Sequence, residues 1–151
     1  MHVLRDTHCT LTVKSNNMKI RLYLILMILF LTFGCVEKNT ESPDSAYKHW
    51  TGESPSNNID VINGRYWQSS HWTLEYVVFL ELKTDSSWID ALIRKTKFKQ
   101  SEKPESLPYD KPDWFSPPKG YIVYVPKGFS QGSKFFVSPD RTRMFVYDIQ
   151  L

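Results

Sequence analysis

The chain has 151 residues, 15% of them aromatic and 23% charged. That is about one domain's length, too rich in large apolar side chains for a disordered polymer and without the glycine period of a collagen. The formal charge is +3, but residues 1–34 carry four basic residues and one acid, and the rest carries fifteen of each. A nucleic-acid-binding domain would hold its basic surface on the folded part, so no nucleic-acid partner is expected. Arg94, Lys95, Lys97 and Lys99 read as a solvated helix end.

In chain order, the first informative feature is Lys19 and Arg21 ahead of an unbroken apolar run, Leu22 to Phe33. Twelve residues reach only about 18 Å as a helix, against a hydrocarbon core about 30 Å thick. A positive start, a short apolar run and then the small residue Gly34 read as an export signal. Residues 1–17 add no periodic apolar pattern, and a signal of ordinary layout begins at Met18, so Met18 is a candidate true start. The spacing of His2, His8 and Cys9 matches no zinc pattern.

Cys35 follows directly, and in Thr32-Phe33-Gly34-Cys35 the chain resembles a bacterial lipoprotein precursor. Gly34 and Cys35 match that family's cleavage motif, whereas Thr32 and Phe33 depart from it. The resemblance implies cleavage before Cys35, with acyl chains carried on its sulfur. Buried acyl chains contribute about 0.8 kcal/mol per CH₂, so several of them make a stable anchor. Cleavage would leave Cys35 as the mature chain's single cysteine, with no internal disulfide. Val36 stands where the family commonly places an inner-membrane retention aspartate. In a Gram-negative cell the expected location is therefore the outer membrane, facing the periplasm.

Residues 1–34 are thus expected to be a signal segment. Residues 35–58, rich in Ser, Asn, Glu and Pro, are expected to be a lipidated cysteine and flexible tether, with Tyr47 and Trp50 as candidates to dock. A small domain is expected over 59–151. Asn63-Gly64 is a turn signal and predicts a short strand or hairpin there, with a possible extra strand near Val61. Glu75 to Lys83 alternates with both faces apolar, which predicts a central strand. Trp88, Ile89, Leu92 and Ile93 form one helical stripe behind the capping oxygens of residues 84–87.

Five prolines between Lys97 and Gly120 predict a long, stiff surface loop. Its Trp114 and Phe115 either pin the loop to the core or form an exposed contact site. Strands are predicted at 121–125, 133–138 and 143–150, the last two as a hairpin with Phe145, Tyr147 and Ile149 as the better core face. The expected fold is α+β, one antiparallel sheet of four to five strands with a single helix packed on one face.

No nucleophile elbow, phosphate loop, zinc-protease motif or dinucleotide fingerprint is present. No catalytic residue, metal ligand or cofactor is assigned. His71, within Ser69-Ser70-His71-Trp72, is the one candidate base in the domain. Trp67, His71, Trp72, Tyr109, Trp114 and Phe115 are the candidate binding residues, because aromatics near turns suit interfaces. The expected function is an envelope lipoprotein, anchored through Cys35, whose domain binds an unidentified ligand or envelope protein without catalysis. An immunity-type protein that blocks a toxin is one form of it. The rivals are an envelope hydrolase acting on cell-wall or glycan substrates and an uncleaved single-pass membrane protein.

Overall fold

The computed structural model describes residues 20–23, 36–71, 73, 75–102, 106–128 and 131–151. Met18, most of the apolar run, Gly34, Cys35 and Trp72 lie outside the described residues. The chain divides into two units, Met1–Gly34 and Cys35–Leu151. In the first, residues 20–23 are helical and exposed. Among the described residues no helix is long and apolar enough to cross a membrane.

The second unit is α+β. Its strands are β1 (Lys38–Thr40), β2 (Ile59–Gln68), β3 (Tyr76–Thr84), β4 (Lys99–Gln100), β5 (Ile122–Val125), β6 (Lys134–Val137) and β7 (Arg143–Gln150). Helices α1 (Pro43–Thr51) and α2 (Ser86–Thr96) complete it. All seven strands join one open antiparallel sheet in the order β1-β2-β3-β7-β6-β5-β4. The expectation of four to five strands and one helix is therefore corrected to seven strands and two helices among the described residues of this unit. The extra pieces are short edge strands, β1 and β4, whose two or three residues are too few to show a period.

β3 and β7 form the centre, paired from Tyr76↔Gln150 to Lys83↔Arg143. A central strand covered on both sides needs apolar residues on both faces, and β3 has them from Tyr76 to Leu80. Val78, Leu80 and Leu82 join Met144 and Val146 on the helix face, while Phe79 joins Phe136 and Phe145 on the other. The preference for Phe145, Tyr147 and Ile149 as the core side of β7 is corrected here. Met144 and Val146 have no exposure at all, because both faces of β7 are covered.

Residues 38–51, expected within the tether, are built into the domain. Ala46, Tyr47 and Trp50 sit at i, i+1 and i+4 and lay a narrow apolar stripe on β2. Three residues in a polar segment make a faint pattern, which is why composition hid it. Gly52, with φ at 84°, closes α1 by donating its N–H to the Lys48 carbonyl at 2.9 Å.

The strand expected around Asn63-Gly64 forms, but the pair does not make a turn. It lies inside β2, where the register with β3 shifts between Val61 and Asn63. A Cβ on Gly64 would stand 2.8 Å from the Pro43 Cα and 3.0 Å from the Ala46 Cβ, so the glycine lets α1 approach the sheet.

α2 packs on the same face as α1, with Ile89 fully buried and Trp88, Leu92 and Ile93 beside it. It carries the chain from central β3 to the far edge at β4. The proline-rich segment then crosses the opposite face, and Phe115 enters that face with no exposure. The β6–β7 turn is the predicted hairpin. There the Ser138 hydroxyl oxygen accepts the backbone N–H groups of Thr142 and Arg143 at 3.1 and 3.0 Å.

One carboxylate ties the helix face together. Asp148 accepts hydrogen bonds from Trp50 Nε1 at 3.0 Å, the Tyr76 hydroxyl at 2.9 Å and the Ser133 hydroxyl at 2.6 Å. Burial, reinforced by the Asp148 charge, raises the Tyr76 phenol above its ordinary value, so Tyr76 stays a neutral donor. Asp148→Ala would strand three donors from α1, β3 and the segment before β6. Hydrogen bonds to a charged group contribute about 1.5–3 kcal/mol each when lost, but Asp148 is only partly buried. We expect a loss of about 2 kcal/mol in urea unfolding; an unchanged midpoint would show that the cluster is solvated.

Candidate functional site

Strand register places the candidate site. Asn39, Trp67 and Val77 lie side by side across β1, β2 and β3. Two residues along, Arg65 pairs with Phe79. This row shares the face that Phe115 enters. Phe115 stands edge-on to Phe79, Phe136 and Phe145, with centroids 5.0, 6.1 and 5.6 Å away. The loop therefore covers β3, β7 and β6 and stops short of β1 and β2, where a groove remains.

The groove has two lobes. The first, about 320 Å³, is lined by Asn39, Glu41, Arg65, Trp67, Val77 and Asp110. The second, about 350 Å³, is lined by Glu41, Arg65, Asn63, Pro43 and Gly64 and by loop residues Pro112, Asp113 and Trp114. They meet at Glu41 and Arg65. The Arg65 guanidinium lies over the Phe79 ring, 5.0 Å from its centroid, an arrangement that favours a cation on a ring face. It also donates to the Asp110 carbonyl oxygen at 2.5 Å. Arg65 is thereby the staple between β2 and the loop.

Trp67 is held from the other side, its indole N–H donating to Glu37 at 2.7 Å. On the same face Asn63 donates to Glu81 at 2.8 Å, and Arg143 stands 3.7 Å from that carboxylate. Glu81 is buried with its charge matched. Burial raises the Tyr147 phenol, and the Asp110 and Asp148 charges add to the effect.

The sequence-predicted residues separate in space. Trp67 and Trp114 line the two lobes. Tyr109 is fully exposed next to Asp110. Phe115 is in the core and contacts no solvent, so it acts on the site only by holding the loop. His71 is exposed and makes no hydrogen bond among the described residues. Trp72 lies outside them. His49 stacks on Tyr66, with centroids 5.1 Å apart. Its pKa is held below the ordinary value, first by burial and then by Lys38 and Lys48.

Among the described residues no side-chain hydrogen bond joins a histidine to a serine or a carboxylate, and none of them form a group of three or more potential metal ligands. Sequence reasoning missed Glu41 and Arg65. Period two along β2 puts Asn63, Arg65 and Trp67 on one face, which was a usable signal for Arg65. Glu41 depends on β1 and had none. The chain matches no family model, no curated protein and no solved structure.

Proposed function

We propose that the chain is the precursor of an envelope lipoprotein, anchored by acyl chains on Cys35, whose domain is a non-catalytic binding module. The observation that carries the anchoring is the twelve-residue apolar run ending at Gly34-Cys35, too short to span a bilayer. The binding reading is supported by the groove, whose walls hold two tryptophans and several carboxylates. The exposed His71, away from any hydrogen-bonded serine or carboxylate among the described residues, offers the hydrolase alternative no support.

The fold changes what the anchor does. With β1 starting at Lys38, only Val36 and Glu37 separate Cys35 from the sheet. Three residue steps span about 10 Å at most. The lipidated domain therefore sits against the membrane surface, and the groove beside β1 faces partners at that surface. A protein of the same envelope is the fitting partner class, with toxin neutralisation as one form.

Metabolic labelling with radioactive palmitate tests the anchor. Wild-type protein is expected to take up label and Cys35→Ala to take up none. Equal label in both would refute lipidation at Cys35.

A further inference from the structure

We infer that the groove between β1, β2 and the proline-rich loop takes an extended, cationic segment of a partner protein. The inference rests on the reading of the domain as a binding module. Three carboxylates, Glu41, Asp110 and Asp113, line the groove, and none forms an ion pair among the described residues. The cation in the lining, Arg65, is already committed to the Asp110 carbonyl and the Phe79 ring. The groove thus carries excess negative charge beside the indole of Trp67, which suits a guanidinium or ammonium group whose aliphatic stem lies on the ring.

The backbone favours an extended segment. β1 is the edge of the sheet on this side, and among the described residues no strand pairs with its outer row of N–H and C=O groups. A strand added there gains main-chain hydrogen bonds and directs alternate side chains to one face. Asn39, in the middle of β1, lines the groove. Side chains added on that face would meet Glu41 and Asp110.

The test uses full-length protein in neutral detergent. The probe is a capped seven-residue peptide alternating arginine and valine, with its glutamate counterpart. The arginine peptide is expected to change the tryptophan fluorescence saturably and the glutamate peptide to leave it unchanged. Glu41→Gln with Asp113→Asn should weaken binding roughly tenfold, about 1.4 kcal/mol, and about 0.5 M salt should weaken it further. Glu53→Gln with Asp60→Asn, carboxylates outside the groove, should leave it intact. Absence of binding by the arginine peptide, equal binding of both peptides, or equal weakening by the two variant pairs would overturn the assignment. A partner captured from envelope extract equally by wild type and by the Glu41/Asp113 variant would leave the binding module standing and remove the groove as its site.

Discussion

Phe115→Ala is expected to cost about 3–5 kcal/mol of unfolding free energy, the range for deleting a fully buried phenylalanine. The side chain has no exposure, and three phenylalanines meet it edge-on. Each such pair contributes about 0.5–1.5 kcal/mol beyond its buried area, so both packing and geometry are lost. The change also frees the loop that carries Asp110, Asp113 and Trp114, so the groove loses a wall. Phe115→Leu, which keeps most of the volume, should cost about 1 kcal/mol. Urea unfolding reads both. A Phe115→Ala midpoint equal to wild type would mean that the loop does not close this face.

Gly64→Val is the second large effect. Valine favours strands by at most about 1 kcal/mol, which alone would predict stabilisation. Its Cβ, however, would fall 2.8 Å from the Pro43 Cα and 3.1 Å from the Pro43 carbonyl oxygen. Those are backbone atoms and cannot swing aside. The overpacking cost, about 3 kcal/mol, exceeds the propensity gain, and α1 must lift from β2. The variant should unfold at lower urea, with Trp50 fluorescence changing as its bond to Asp148 is lost. A neutral or stabilised variant would show that α1 does not lie over Gly64.

These two positions differ in how far their surroundings can be read from the residues alone. The burial of Phe115 follows from an apolar side chain in a loop too proline-rich to fold by itself, and packing was one of the two readings open for it. At Gly64 the expected strand forms but the turn does not. An Asn-Gly pair is locally a turn, and only the helix packed over it explains a glycine within a strand. The β3 strand was legible because its apolar residues alternate on both faces. The helix α1 was not, because three apolar residues among polar ones carry little signal until β2 is there to receive them. The same holds for the groove. Trp67 and Trp114 were found as aromatics, but their separation into two lobes around Arg65 depends on a loop returning over the sheet from the far edge.

The position of β1 matters most for function. If Cys35 carries acyl chains as proposed, a long spacer would let the domain reach into the envelope, whereas two intervening residues would hold it at the bilayer. The groove, its carboxylates and the sheet edge would then be a surface presented close to the membrane, as the proposed binding role requires. All of this depends on Cys35 becoming the first residue of the mature protein.

Intact-mass and N-terminal peptide spectrometry of the protein purified from membranes measures that directly. A chain beginning at Cys35, with the mass of its acyl chains on that residue, is expected. A chain that still carries the apolar run, with a free Cys35 thiol, would contradict it.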